Sequence, residues 1–438
     1  MKKRLGVISV ILLASGALAA CGGDKSADSD AGKQPANTDQ KPAEKPLEPV
    51  TLMLYPGQWI TPADMELMIN GPLQKKYPHI KVEVINRDGN PIENHLATGG
   101  QMDLITSWNG SMANNMTLDV YEELTPYMQK FGFDLNRFDP AAIDTIREIA
   151  EDKKLYGLPY NRQFNALYYN KDIFDKFGVP YPKDGMTWED AIELAKKVTR
   201  EEGGIQYRGL DPESVSRMGF PLSLHLVDAA TNKVLVTGEQ YRKVFELTKS
   251  IYDIPGNRPE KWGSNTYDAF IKDKTVAMSA HVNLLPYLAE VEPFNWDMVQ
   301  YPSYKEQPNV YGMFDMHIIG ISKTSKYKDD AFRVLEVLFS DDVQLVATKQ
   351  TGRVSLLKDP KFQEAFGAEM PVLQGKHKEA IFMSKPAPAP RLSPYYSKAG
   401  SILRNHFYQY ADGAKDVNTA LRDAEEEITQ HINSQLGK

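Results

Sequence analysis

Sequence patterns of the common enzyme classes are absent from this chain. It contains no G-x-S-x-G, no P-loop, no G-x-G-x-x-G and no H-E-x-x-H, and its eight histidines show no metal-ligand spacing. Residues 355–358 fit S-x-x-K, but the companion motifs S-D-N and K-T-G are missing. We therefore expect no catalysis, no metal and no cofactor, although 58 carboxylates leave a glycosidase pair open.

Long apolar runs are also scarce. The clearest one, residues 5–14, follows the cations Lys2, Lys3 and Arg4 and precedes small residues. About ten apolar residues are too few to span a bilayer, which needs roughly 20. A positive start, a short apolar run and small residues are typical of a secretory signal peptide, which we place at residues 1–20.

Cysteine occurs once in 438 residues, as Cys21. A lone thiol in an exported protein cannot form an internal disulfide and needs another explanation. Cys21 directly follows Leu-Ala-Ala, and this segment resembles the lipobox of bacterial lipoproteins, in which the cysteine is acylated. The resemblance implies a signal peptide removed before Cys21, a palmitate-type lipid anchor and a chain held on the extracytoplasmic face of the cell membrane.

Residues 22–49 lack the apolar side chains needed to form a core, with Leu47 as the one strongly apolar residue. We expect 21–49 to form a lipidated, disordered tether. Loss of the three N-terminal cations lowers the formal net charge of −7 to −10. This sign is wrong for binding nucleic acid or an anionic membrane surface, so the lipid should be the only membrane contact.

The remaining residues, about 390, are too many for one hydrophobic core and suit two domains. Strand patterns at 50–55, 80–84 and 103–106 alternate with helix patterns, which favours an α/β fold with parallel sheets. Thr61 and Pro62 begin a helix that Gly71-Pro72 should interrupt. Further helices are predicted from Asp139-Pro140, from Thr187 with its acidic residue three places on, and at 329–339 and 416–432.

Several aromatic residues occur beside Gly, Asn, Ser or Pro, in contexts typical of loops. In a cleft, such rings offer an apolar face to the C–H side of a sugar and exclude water around polar contacts. The alternative is that each ring packs a loop onto its domain. The aromatic candidates are Trp59, Trp108, Tyr160, Trp262, Tyr395 and Tyr396. Trp188 begins a helix, and we assign it to packing.

The central part of the chain resembles a known family. Residues 155–160 (LYGLPY) and 166–174 (ALYYNKDIF), continued by 177–180 (FGVP), are similar to the family 1 extracellular solute-binding proteins of ABC importers, the maltose-binding-protein group. Later matches at 270–278, where Asp273 replaces the usual glycine, and at 319–325 and 351–353 keep the family order.

This resemblance implies a two-lobed fold of the periplasmic-binding-protein type, with the ligand in a cleft between discontinuous lobes. It places the N-lobe at 50–160 plus 315–352 and the C-lobe at 161–314 plus 353–438. The chain would cross between lobes near 160–162, 311–315 and 352–355. The implied function is capture of a carbohydrate, an oligosaccharide above all, and its delivery by a monomeric receptor to the permease subunits of an ABC transporter.

The resemblance also suggests ligand-binding positions. Trp108 and Asn109 follow a strand where the family contacts ligand, and Arg162 stands where the maltose-binding member has an acidic residue, which disfavours maltose. His281 and Asn283 follow Met278 in a segment that often carries a ligand-contacting loop. Tyr395 and Tyr396 match a segment whose aromatic residue stacks on sugar. The remaining candidates are Trp59, Tyr160 and Trp262, the last without a motif match.

Two alternatives remain open. A lipoprotein hydrolase acting on polysaccharide would need two cleft carboxylates roughly 5 to 9.5 Å apart. A receptor for a peptide, polyamine or anion is the other alternative. Acidic groups with aromatic rings in the cleft would favour a cation, whereas helix N-termini and arginine would favour an anion.

Overall fold

The computed structural model describes residues 48–57, 60–87, 89–263 and 267–437. The predicted signal peptide, Cys21, nearly all of the tether and Trp59 lie outside the described residues. Glu48 to residue 437 belong to a single compact unit of the chain.

Within the described ranges the chain forms twelve strands. They are β1 (Val50–Pro56), β2 (Ile80–Val84), β3 (Leu104–Trp108), β4 (Leu158–Arg162), β5 (Asn165–Asn170), β6 (Arg200–Glu202), β7 (Ile205–Asp211), β8 (Val276–Val282), β9 (Trp296–Gln300), β10 (Val310–Met313), β11 (Met316–Ile321) and β12 (Lys385–Ala387).

The helices alternate with these strands, as expected for an α/β protein. They are α1 (Pro62–Met65), α2 (Gly71–Lys76), α3 (Ile92–Ala97), α4 (Asn109–Met116), α5 (Thr125–Phe131), α6 (Pro140–Ile149), α7 (Lys171–Phe177), α8 (Trp188–Val198), α9 (Val215–Gly219), α10 (Glu239–Tyr252), α11 (Asp268–Ile271), α12 (Leu285–Leu288), α13 (Lys328–Leu338), α14 (Asp341–Thr351), α15 (Pro360–Glu364), α16 (Tyr396–Ala411) and α17 (Val417–Leu436). Short 3-10 turns lie at Leu135–Arg137, Phe220–Leu222, Pro371–Leu373 and Lys378–Phe382.

Two five-stranded sheets form the centres of the two lobes. The first has the order β2-β1-β3-β11-β4, and the second has the order β6-β7-β8-β5-β9. The sheets are mixed rather than parallel: β11 runs antiparallel to β3 and β4, and β5 runs antiparallel to β8 and β9. The predicted parallel pairing is confirmed for β1 with β2 and β3, the strands on which the prediction was based. It fails at β5 and β11 because these strands enter their sheets from the crossing segments, not over a helix of the same lobe.

Within the described residues the chain passes between the lobes at three short segments, the first, second and third crossings. Gln163 and Phe164 separate β4 in the first sheet from β5 in the second, and Phe314 and Asp315 separate β10 from β11. A third segment follows α14, where Val354 forms a bridge with β4. A small sheet of β10 and β12 adjoins the second crossing. Sheet membership does not assign every loop, so the exact lobe boundaries stay a prediction.

The predicted starts of helices α6 and α8 are confirmed. The Thr187 side chain accepts from Asp190 N while Asp190 accepts from Thr187 N, the predicted capping arrangement of α8. Asp139 caps α6 with Pro140 at its first position. Trp188 is fully buried and meets Tyr301 edge to face at 5.3 Å, which confirms its packing role.

The helix after Thr61 does not stop at Gly71, contrary to the sequence expectation. Residues Glu66–Asn70 form a π-helical turn, and α2 continues directly from it. The wider turn lets Gly71 N–H reach the Glu66 carbonyl, five residues back, and Pro72 then sits in the first turn of α2, where its missing N–H is tolerated. A Cβ at Gly71 would lie 2.7 Å from that carbonyl oxygen, so glycine is required by close approach.

Candidate functional site

A cleft of about 710 Å³ lies between the two sheets. Its walls come from the ends of β3, β4 and β11 on the first lobe and from α9, α12, α16 and the end of β8 on the second. The crossing residues Gln163 and Asp315 form part of its lining. Groups on the two lobes and on the segments that connect them therefore face one cavity.

Aromatic rings from the two lobes meet at one part of the cleft. Trp108, at the end of β3, contacts Tyr396, the first residue of α16, with ring centroids 5.9 Å apart and planes at 70°. The Trp108 ring folds over Gly110, where a Cβ would come within 2.4 Å of it. Burial raises the pKa of Tyr396 above its usual value, so its hydroxyl is neutral at physiological pH.

A second group of rings lies on the second lobe. Tyr267 and Tyr287 stack with centroids 4.5 Å apart, and His281 meets Tyr267 edge to face at 5.6 Å. Burial and the neighbouring Tyr267 raise the pKa of Tyr287 to about 12. The two tyrosines and His281 all line the cleft and provide a second apolar surface with polar edges.

A charged triad lies between the aromatic groups. Arg217 on α9 donates from Nε to Glu213 Oε1 at 2.9 Å and from Nη1 to Asp315 Oδ2 at 3.2 Å. Burial would raise the pKa of Glu213, but Arg217 and His281 lower it below its usual value. Burial raises the pKa of Asp315, against the opposing effect of Arg217. The triad thus connects the second lobe to the crossing segment.

Polar side chains from the first lobe and the crossings complete the lining. Gln163 Nε2 lies 2.9 Å from His317 Nε2, and burial, with Arg353 and Arg217 nearby, lowers the pKa of His317 to about 3. The imidazole is therefore a neutral hydrogen-bonding group at physiological pH. Asn161 is 1% exposed, and its Oδ1 has no hydrogen-bond partner among the described residues.

The structure brings four predicted site residues together at the cleft: Trp108, His281, Asn283 and Tyr396. Asn283 also braces the third crossing, because its Nδ2 donates to the Gly352 carbonyl at 3.1 Å. Their role in ligand binding stays a prediction.

Other predicted residues of the first lobe do not line this cleft. The buried Asn109 amide donates to the Phe314 carbonyl and accepts from Met316 N, so it holds the second crossing. Tyr160 is 4% exposed, with its hydroxyl buried. Arg162 faces a separate pocket of about 260 Å³, with Val354 and Lys358 among its lining residues.

Two predicted aromatics of the second lobe also lie elsewhere. Trp262 stacks on Tyr408 at 5.1 Å, and its Nε1 donates to Asp412 at 2.9 Å. Tyr395 lines a different pocket and packs edge to face with His431. Trp59 lies outside the described residues. The loop contexts that selected these rings do not reveal which way each ring faces.

Sequence reasoning missed much of the polar lining. No motif marked the triad, and only the spacing of Glu213 and Arg217, four residues apart, hints at an ion pair. Among the described residues, no group of three or more His, Cys, Asp or Glu side chains could hold a metal ion. No helix in the described part of the chain has the length and apolar character needed to cross a membrane. The cleft-lining residues that were missed include Glu213, Arg217, Tyr267, Tyr287, Asp315 and Arg404.

Known proteins share this architecture. An ABC substrate-binding protein from Listeria monocytogenes, solved in complex with cycloalternan, matches with a TM-score of 0.73 at 20% identity, over 88% of this chain and 99% of that chain. This shows the same two-lobed fold and confirms the predicted fold class.

Two curated relatives match most of the chain. The multiple sugar-binding protein of Streptococcus mutans is 20% identical over 353 residues, which are 75% of this chain and 76% of that protein. The sn-glycerol-3-phosphate-binding periplasmic protein of Brucella melitensis is 22% identical over 318 residues, which are 67% of this chain and 71% of its own. A family model described as bacterial extracellular solute-binding protein matches residues 71–364, well over half of the chain. The chain therefore belongs to the bacterial extracellular solute-binding proteins.

Proposed function

We propose that this chain is a lipid-anchored extracytoplasmic receptor that captures a carbohydrate, an oligosaccharide above all, and delivers it to the permease of an ABC transporter. The observation that carries the proposal is the composition of the cleft. Aromatic rings from both lobes, Trp108 with Tyr396 and Tyr267 with Tyr287, flank a polar centre. Rings suit the C–H faces of a sugar, while polar groups suit its hydroxyls.

The relatives support this class of ligand. One is named for multiple sugars and a similar structure holds cycloalternan, although another relative is named for sn-glycerol 3-phosphate. The cleft volume of about 710 Å³ falls within the usual range for small-molecule sites, about 300–1,000 Å³, and has room for more than one sugar ring. We place the stacking contacts at Trp108 and Tyr396 and the directional contacts at His281 and Asn283.

A ligand screen by thermal shift tests the proposal. Neutral and acidic mono- and oligosaccharides, peptides, amino acids and polyamines would each be added to the chain lacking residues 1–21. A ligand present at 100 times its Kd stabilises the folded state by about 2.7 kcal/mol, which a melt detects readily. We expect a saccharide to give the largest shift. A shift with a peptide or a polyamine and with no saccharide would contradict the carbohydrate assignment.

Ligand binding should close the lobes. We propose that they comprise 50–160 plus 315–352 and 161–314 plus 353–438, so only the three crossings need to bend. A ligand that contacts both walls binds the closed form better and shifts the population towards it. We expect small-angle scattering to report a smaller radius of gyration with the saccharide found in the screen. An unchanged radius at saturation would rule out closure.

The lipid anchor has its own test. Because Cys21 is the only thiol and follows the predicted signal peptide, Cys21→Ser should release the protein from membranes or leave it unprocessed. Cell fractionation with immunoblotting would show this. Ser26→Ala, in the predicted tether, is the control and should stay in the membrane fraction. Normal processing and membrane retention of Cys21→Ser would exclude lipidation at this position.

A further inference from the structure

Three arginines line the cleft, and they differ in whether a carboxylate of the described residues pairs with them. Arg217 is paired with both Glu213 and Asp315, as described above. Arg353 donates from Nη1 and Nη2 to the two oxygens of Asp64, both at 2.8 Å. These two guanidinium groups are therefore already engaged and have little capacity left for a charged ligand group.

Arg404 is different. It lies on α16 and lines the cleft, yet its only side-chain hydrogen bond to a described residue runs from Nη2 to Ser401 Oγ of the same helix, at 3.1 Å. No carboxylate among the described residues forms an ion pair with it. Arg404 is partly exposed, so its charge faces the cavity rather than a protein partner.

The cleft surface around Arg404 combines aromatic and small side chains of α16. One face of α16 lines the cleft, through residues that follow the three-to-four-residue spacing of a helix face. Along this face Arg404 lies between the small residues Gly400 and Ser401 on one side and Tyr408 on the other. These lining residues are Tyr396, Ser397, Gly400, Ser401 and Tyr408. A Cβ at Gly400 would lie 3.7 Å from Arg404 Nη1, so the guanidinium rests close to the helix surface.

A ligand in the closed cleft would remove water from this guanidinium. A neutral sugar offers only hydroxyl oxygens in exchange, whereas a carboxylate or phosphate offers two oxygens to the planar fork of arginine. Leaving a cation desolvated and unpaired is costly, so the site should discriminate in favour of an anion.

We infer that the ligand is an anionic saccharide whose acidic group, a uronate carboxylate or a phosphate ester, is bound by Arg404. This inference rests on the proposed carbohydrate function and narrows its substrate class. It also makes Arg404 a specificity-determining residue, while the aromatic rings contribute affinity for the sugar backbone.

Calorimetric titration tests the inference with matched probes. These are di- and trisaccharides of galacturonate, glucuronate and mannuronate, the methyl esters of the same compounds, and glucose 6-phosphate. We expect an acid to bind and its ester to bind at least tenfold more weakly. Arg404→Gln should weaken binding of the acid roughly 30-fold or more, because it leaves the acidic group of the ligand desolvated and without its charged partner.

Lys398→Gln is the matched control. Lys398 lies on the same helix, carries the same charge and is exposed outside the cleft lining. It should leave the affinity unchanged, and Arg404→Lys should retain part of it because the charge remains without the planar fork. Melts of the ligand-free variants should show that all three fold, since Arg404 holds no carboxylate in place.

The outcomes separate this inference from the proposed function. Binding of glucose 6-phosphate that depends on Arg404, without uronate binding, would support the inference and identify phosphate as the anion. Esters or neutral sugars binding as tightly as acids, or acid binding that survives Arg404→Gln, would overturn the inference and leave the carbohydrate function intact. If no acidic or neutral saccharide binds, the carbohydrate function fails and the inference fails with it.

Discussion

Asp64→Asn should destabilise the folded chain by about 3–5 kcal/mol. Asp64 and Arg353 form a bidentate pair and are 6% and 8% exposed. Removing the carboxylate leaves a buried guanidinium without a counter-charge at the third crossing. Asp64 also accepts from Thr61 N at 2.9 Å, so the reciprocal bond of the capping box at the start of α1 loses its charged acceptor. Urea unfolding would show the loss as a lower midpoint with an unchanged slope.

Glu83→Gln is a matched control for this change. Glu83 pairs with Lys81 on the surface of the same lobe, where both side chains are largely exposed, so its midpoint should stay close to that of the wild type. Equal midpoints for the two variants would contradict the buried-pair argument.

The effect of Asp64→Asn should depend on pH in a defined direction. Burial would raise the pKa of Asp64, but Arg353 and the Thr61 cap lower it overall. A lowered pKa in the folded state contributes stability above the unfolded value, about 3.9, and this is lost as pH falls through the folded value. The difference between wild type and variant should therefore be constant near neutrality and shrink below about pH 4.

Trp108→Ala should weaken saccharide binding at least about tenfold, because truncating a buried aromatic anchor commonly costs about 2 kcal/mol. Trp108 is only partly buried and meets Tyr396 across the cleft. Its removal should therefore cost less stability than truncation of a core tryptophan, about 3–5 kcal/mol. Titration calorimetry beside a melt of the free variant measures both quantities. Unchanged affinity with a collapsed melt would show that Trp108 is a packing residue.

The adjacent tyrosines provide a control for this prediction. Tyr396 lines the cleft, whereas Tyr395 lines a different pocket. Tyr396→Ala should lower the affinity as Trp108→Ala does, and Tyr395→Ala should leave it unchanged. Equal losses at both positions would show that the change acts through the start of α16 and not through the ring in the cleft.

The class of protein was predictable from the sequence, whereas the ligand-binding residues stay a prediction. The two-lobed fold and the solute-binding role are confirmed, and the family consists of binding proteins rather than enzymes, as expected from the missing catalytic motifs. Family membership also places the chain outside the cytoplasm. The helix cap at Thr187 could be predicted from the sequence because it depends only on two residues that are three positions apart.

The site residues were harder to predict because side chains of a strand alternate between its faces. In β4, Asn161 lines the cleft, while Tyr160 and Arg162 on either side do not. The resemblance located the strand, but an error of one residue exchanges the two faces. The sequence around Arg162 also does not show which way its side chain points, and in the structure it faces a separate pocket.

The polar triad could not be predicted for another reason. Arg217 and Asp315 are 98 residues apart, and their contact depends on how the second crossing passes over α9. Periodicity and capping describe neighbours along one helix or strand, whereas this contact arises from the packing of the two lobes. Arg404 was missed similarly, because only the tertiary structure shows which arginines have carboxylate partners.

The position of β11 constrains the order in which the chain can fold. β11 lies between β3 and β4 and is antiparallel to both, yet it follows β4 by about 150 residues. Until residue 321 is available, β3 and β4 have no strand between them, so the first sheet lacks its connection during most of synthesis. A chain that ends before Met316 should therefore remain unfolded in its first lobe, exposing apolar strand edges that attract aggregation. The arrival of β11 is thus the step that allows this lobe to reach its native structure.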